Sequence, residues 1–167
     1  MISIILPTFN RDHLLSTTIN TIIAQSFQEY ELIVINDNSS DNTEKVIKKL
    51  QLQDQRIKYI KNIENLGCAE SRKVGYQQSS GDIIVFLDDD DTWDQDKLMK
   101  QYNLLMRSNY DMIISDYYIK KNNELIYKDM QNFSKNFKNE ILKAPGPFFQ
   151  SIKITKKTIN KLNNPFD

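Results

Sequence analysis

The sequence predicts an α/β fold built on a doubly wound, mostly parallel sheet, with a hairpin added toward the C-terminal end. Three observations predict it. Short β-branched runs, apolar nearly throughout, recur at Ile2–Leu6, Leu32–Ile35, Ile57–Ile60 and Ile83–Leu87, as in strands covered on both faces. Stretches of helical period separate them, and such βαβ repetition closes into one sheet with right-handed crossovers. The chain has 167 residues, 40% of them hydrophobic, which suits a single domain, 1–167, with a real core.

The first strand leads into Pro7-Thr8-Phe9-Asn10-Arg11. Proline has no N–H, so Pro7 is expected to leave the ladder and turn the chain outward. That would expose a hydroxyl, an amide and a cation suited to a nucleotide's edge, although an ordinary strand exit explains the segment equally. The first helix carries Leu14, Thr17, Thr18, Thr21 and Ile22. After the second strand comes Asn36-Asp37-Asn38-Ser39-Ser40-Asp41, where Asp37 is a candidate acceptor for a base N–H and Asp41 a cap for a helix over Thr43–Leu50. After the third strand, Asn65-Leu66-Gly67-Cys68 precedes a helix over Ala69–Gln78. Gly67 would allow close approach of backbone to ligand and leave the helix N-terminus open to an anion. Arg72 and Lys73 then either meet diphosphate oxygens or form a solvated basic face.

The fourth strand runs directly into Asp88-Asp89-Asp90-Asp91. Like charges crowded there repel unless a cation or solvent takes up the charge. In an extended segment Asp88 and Asp90 face one side and Asp89 the other. Asp88 and Asp90 would then offer hard oxygen ligands to Mn²⁺ or Mg²⁺, while Asp89 accepts from a ribose or sugar hydroxyl. The alternative is a solvated acidic turn. Asp94 is placed to cap a helix with Leu98, Tyr102 and Leu105 that ends near Ser108 and Asn109. Beyond it, Met112–Ser115 and Tyr117–Ile119 read as strand, Lys120–Glu124 as turn and Leu125–Tyr127 as a returning strand. Residues 128–147 read as loop with one short helix, Phe148–Ile154 as strand and Thr155–Leu162 as helix.

Ligands of doubly wound sheets bind at the carboxyl ends of the strands, so the four polar loops converge on one candidate site. A balance of 22 basic and 22 acidic residues excludes nucleic-acid or anionic-lipid binding by bulk electrostatics. The only cysteine, Cys68, allows no intrachain disulfide and is expected as a small buried hydrophobe; His13 is expected exposed, and Trp93, Tyr117 and Tyr118 as core. No signal peptide is visible and every apolar run is far shorter than the ~20 residues that span a bilayer. A cytoplasmic protein is expected.

As an ordered set, Ile4–Arg11, Gln25–Thr43, Asn65-Leu66-Gly67, Arg72-Lys73-Val74-Gly75 and Gly81–Asp91 resemble the bacterial family 2 glycosyltransferases of the Rossmann-like GT-A fold. The resemblance is close over the first 100 residues and loose from 110 to 160. It implies transfer of a sugar, with inversion and metal assistance, from a nucleotide-diphosphate donor of the UDP class to a hydroxyl acceptor in polysaccharide or glycoconjugate synthesis. By it, residues 1–110 form the nucleotide-sugar-binding half and 111–167 part of the acceptor side. Pro7, Thr8 and Asp37 would contact base and ribose, Asn65 and Arg72 the nucleotide, and Asp88-Asp89-Asp90 the metal and diphosphate. Asn36 stands where an aspartate is common, and Lys73 where an asparagine is usual.

Phe166-Asp167 looks like the turn that precedes the family's catalytic base, so the base is expected beyond Asp167 in a chain truncated at its C-terminus. Asp116 and Asp167 are only remote candidates for it. The implied partners are a nucleotide-sugar donor and a glycan or lipid-linked acceptor, with peripheral association at the inner face of the membrane through further segments. A catalytically silent nucleotide-sugar-binding module and a phosphoacceptor signalling domain are the competing readings.

Overall fold

The computed structural model describes residues 1–122, 124–130 and 152–161. Strand and helix alternate as the periodicity predicts: β1 (Ile2–Thr8), α1 (Asp12–Ile23), β2 (Tyr30–Asn36), α2 (Thr43–Gln51), β3 (Ile57–Lys61), α3 (Gly67–Gln77), β4 (Ile83–Phe86) and α4 (Lys97–Arg107). There follow β5 (Met112–Ile114), the strands β6 (Tyr117–Lys121) and β7 (Glu124–Lys128), then β8 (Ile152–Thr155) and a short α5 (Lys156–Ile159). The main sheet has the order β3-β2-β1-β4-β8-β5, and β6-β7 form a separate antiparallel hairpin. β1 pairs in parallel with β2 and β4, and β2 with β3. β8 enters antiparallel between β4 and β5.

Alternation along the strands divides the core in two. Ile4, Leu6, Leu32, Val34 and Val85 face α1, α2 and α4, while Ile5, Ile33, Ile35, Ile84 and Phe86 face α3 and α5. Both faces of β1, β2 and β4 are covered, which is why these strands carry no polar alternation. α3 lies so close that a Cβ on Gly75 would stand 2.5 Å from Ile5 Cγ2 and 2.7 Å from Ile35 Cδ1. Gly75→Ala is therefore expected to cost about 1–3 kcal/mol by overpacking, read as a lower urea midpoint; an unchanged midpoint contradicts this packing.

Several expectations are corrected. Pro7 stays in β1, opposite Ile35. Ile5 O accepts from Leu87 N, so the odd residues of β1 turn their backbone toward β4, which ends at Phe86. The side of Pro7 that lacks an N–H thus faces a position with no strand to pair. α1 buries Leu15, Thr18, Ile19 and Ile22, a face one residue on from the one expected, with Thr17 exposed. The N-cap of α2 is Asn42, without a side-chain cap bond, and Asp41, one residue earlier, accepts through Oδ1 from Thr43 N at 2.9 Å. Asp94 instead accepts from Asp96 N, and the α4 amide of Leu98 donates to Gln25 Oε1.

The hairpin forms, with Tyr118 opposite Tyr127, but Tyr118 is 63% exposed because no second layer among the described residues covers this face of the two-stranded ribbon. Tyr117 is half-buried and Trp93 buried. α5 is shorter than expected; residues 131–151, including Phe148, and 162–167 lie outside the described residues.

Candidate functional site

Strand order reverses at β1, which has β2 on one side and β4 on the other. This is the switch point at which doubly wound sheets open a crevice. There a cavity of about 350 Å³ is lined by Pro7, Thr8, Phe9 and Arg11 after β1, by Asp37 after β2, by Cys68, Ser71 and Arg72 of α3, and by Asp88, Asp89 and Asp90 after β4. Its size lies within the ordinary range for small-ligand sites.

The aspartates do not continue the strand. Asp91 N donates to Asp88 O, so the segment turns, strand alternation no longer applies, and Asp88, Asp89 and Asp90 all line the same cavity instead of facing two sides. Each is held differently. Asp88 Oδ1 lies 2.5 Å from Arg72 Nη2, and Asp90 Oδ2 2.6 Å from Arg11 Nη1. Asp89, 8% exposed, accepts from Thr8 Oγ1 at 2.7 Å, and its Oδ1 lies 3.6 Å from Arg11.

Burial raises the Asp89 pKa against the lowering pull of the Thr8 hydrogen bond and Arg11, and the charges of Asp90 and Asp88 push it further up. Burial together with Asp88, Asp90 and Asp89 pushes Asp91 up to about 6. Asp91 Oδ2 is buried with no hydrogen-bond partner. Four carboxylates thus meet two guanidinium groups, Arg11 and Arg72, an excess of two negative charges.

Asp37 is 3% exposed and binds the loop that follows β3. Oδ1 accepts from Asn62 Nδ2 and Leu66 N, and Oδ2 from Gly67 N, each at 2.8 Å. The carboxylate lines the cavity with most of its roughly four acceptor positions already taken by the protein. Burial raises its pKa, but the hydrogen bonds from Asn62, Leu66, Gly67 and Ser71 outweigh that, and it lies below the ordinary carboxylate value.

Asp37 thus takes up the amides of Leu66 and Gly67, two of the donors at the start of α3. Gly67 has φ +81° and no protein atom within 4 Å of an added Cβ, so backbone conformation by itself favours glycine there. Gly67, Asn65 and Asn10 do not line the cavity. Asn65 Nδ2 donates to Asp37 O at 3.4 Å, and Asn10 ties the first loop to the second through Ser39 and Ser40. Lys73 pairs with Glu70 and stays outside.

Cys68 is exposed, correcting the expected burial: it stands one turn before Ser71 on the face α3 lays on the sheet, but at the helix tip, where it meets the cavity. Asn62 and Ser71, both buried, were missed; Asn62 lies one residue past β3, in a loop the strand-end rule had flagged, whereas no local signal marks Ser71. Asp116 accepts from Tyr127 Oη and Met130 N within the hairpin region, and Asp167 lies outside the described residues. No group of three or more His, Cys, Asp or Glu side chains is arranged to hold a metal among the described residues. No helix among them is long and apolar enough to cross a membrane.

Comparison with known proteins bears on the fold and the family. The Escherichia coli UDP-Glc:alpha-D-GlcNAc-diphosphoundecaprenol beta-1,3-glucosyltransferase WfgD is 32% identical over 166 residues, 99% of this chain and 64% of the relative. The crystal structure of S. aureus TarS 1–349 in complex with UDP-GlcNAc matches with a TM-score of 0.80 and 20% identity, over 96% of this chain and 46% of that one. The mannosyltransferase PcManGT from Pyrobaculum calidifontis, in complex with GDP-Man and Mn²⁺, matches with a TM-score of 0.74 and 17% identity, over 97% and 46%. At these identities the two structures show a common fold. The chain thus spans just under two thirds of the length of the E. coli relative. The family model described as glycosyl transferase family 2 matches residues 3–164, nearly the whole sequence, and the chain therefore belongs to that enzyme family.

Proposed function

We propose that residues 1–110 form the donor half of an inverting, metal-assisted glycosyltransferase. It moves a sugar from a UDP-sugar to a hydroxyl of a lipid-linked glycan in bacterial polysaccharide or glycoconjugate synthesis. The observation that carries this reading is the single cavity at the sheet's switch point that Asp37, Thr8, Arg11 and Arg72 share with three successive aspartates. Support for the donor and acceptor comes from the E. coli relative, named for UDP-Glc and a diphosphoundecaprenol-linked sugar, and from the UDP-GlcNAc complex of TarS.

In this reading Asp37, at the cavity wall, accepts from the uracil imide N–H, while Pro7 and Phe9 flank the base. Asp89, fixed by Thr8, accepts from the ribose. Arg72 and Arg11 attract the diphosphate. The donor set suits Mn²⁺ or Mg²⁺: Asp88 and Asp90 offer hard, partly exposed oxygens, and Mg²⁺ in particular is commonly held by one or two carboxylates plus substrate phosphates. A diphosphate adds negative charge to a turn already two charges in excess, a repulsion that a divalent ion relieves. When bound, the ion neutralises charge that grows on the departing diphosphate. Arg72, released from Asp88, stabilises the same oxygens. The acceptor works from the β8–β5 side, at the inner face of the membrane.

The donor class is tested by competition: with Mn²⁺ present, unlabelled UDP is expected to displace a fluorescent UDP-sugar from the chain at far lower concentration than GDP or CDP. Equal displacement by GDP would refute the uracil assignment.

A further inference from the structure

Between β4 and α4 the chain runs from Leu87 to Asp96 without regular structure, yet it contains the aspartate turn on which the site depends. Its backbone groups need partners, and α1 supplies them in order. Thr18 Oγ1 donates to Asp89 O at 2.9 Å. Thr21 Oγ1 accepts from Trp93 N at 3.3 Å. Gln25, just past the helix, donates through Nε2 to Asp94 O at 2.7 Å and accepts from Leu98 N through Oε1 at 3.0 Å. Residues 18, 21 and 25 share one helical face, beside the apolar face of Leu15, Ile19 and Ile22 that packs on the sheet. Thr18 and Gln25 are each 1% exposed. Gln25 Nε2 also donates to Thr21 O within α1 at 3.1 Å, which steadies the amide; a buried hydroxyl and amide bonded to another segment's backbone fix where that segment lies.

We propose that Thr18 is a positioning residue for donor binding: through Asp89 O it sets the aspartate turn against β1, with Thr21 and Gln25 extending the same clamp to the start of α4. Asp89 is then gripped at its carboxylate by Thr8 and at its carbonyl by Thr18, so Asp88 and Asp90 flank a fixed point. The inference rests on the donor-binding reading above for its consequence, and on the hydrogen bonds alone for the clamp.

The test uses Thr18→Val, which keeps the shape and removes the donor, Thr18→Ser, which restores the hydroxyl, and Ile22→Val, which loosens the neighbouring apolar face of the same helix. Thr18→Val is expected to raise the Mn²⁺ concentration for half-maximal UDP binding about five- to tenfold, the loss of one buried hydrogen bond. Thr18→Ser is expected to return it toward wild type and Ile22→Val to leave it in place. An unchanged Mn²⁺ requirement in Thr18→Val, or an equal rise in Ile22→Val, overturns the inference. Amide hydrogen exchange at Asp91 and Trp93 gives a readout independent of the ligand. Faster exchange in Thr18→Val but not in Ile22→Val supports the clamp even if wild-type chain binds no UDP, a result that would reject the donor reading instead; unchanged exchange overturns the clamp.

Discussion

Asp37→Ala is expected to lose about 3–4 kcal/mol of stability and all measurable donor binding at once. The substitution leaves Asn62 Nδ2, Leu66 N and Gly67 N without their acceptor. Hydrogen bonds to a buried charged group contribute about 1.5–3 kcal/mol each but do not add fully. Asp37→Asn keeps one acceptor oxygen and turns the other into a donor facing donors, so it is expected to fall between. The pH dependence follows from the sign of the shift. The folded pKa of Asp37 lies below its ordinary value, so its contribution is present above the unfolded carboxylate pKa of about 4 and is lost as pH falls through the folded value. Urea unfolding of wild type and Asp37→Asn should therefore converge on acidification. A stability gap that widens below pH ~4 contradicts this account.

Asp90→Asn is expected to separate function from stability. Asp90 is 47% exposed and paired with Arg11, in a turn that holds four carboxylates against two arginines. Removing one charge relieves repulsion among the rest, so the melting temperature should hold or rise. Donor binding should move the other way: loss of a metal-holding carboxylate is expected to weaken Mn²⁺-dependent UDP binding about 100-fold, comparable to losing one well-placed electrostatic group in an active site. Unchanged UDP affinity would count against the metal role, and a large drop in melting temperature against the excess-charge argument.

Much of the fold was legible because burial on both faces leaves a direct trace: β1, β2 and β4 are apolar runs, and α2 and α3 have the helical period. Pro7 misled because a missing N–H matters only on the side where a strand continues, and where β4 stops is a property of the sheet. The insertion of β8 between β4 and β5 is a pairing across distant sequence that no local pattern encodes. Three walls of the site were legible from polar residues at strand ends, namely Thr8–Arg11, Asp37 and Asp88–Asp90. The use each makes of its atoms was not. Asp37 reads as a free acceptor until Asn62, Leu66 and Gly67 donate to it, and Asp89 reads as facing away from Asp88 and Asp90 until Asp91 N closes the turn. Thr18 read only as a residue of helical period, and the clamp with Gln25 was not visible, because a side chain bonded to another segment's backbone has no signature in spacing.

The most direct measurement is calorimetric titration of UDP into this chain with Mn²⁺ and again with the ion removed by chelator. The account predicts binding with the ion and none without it, since two uncompensated negative charges at the turn then confront the diphosphate. UDP binding of equal strength in both, or in neither, would contradict it.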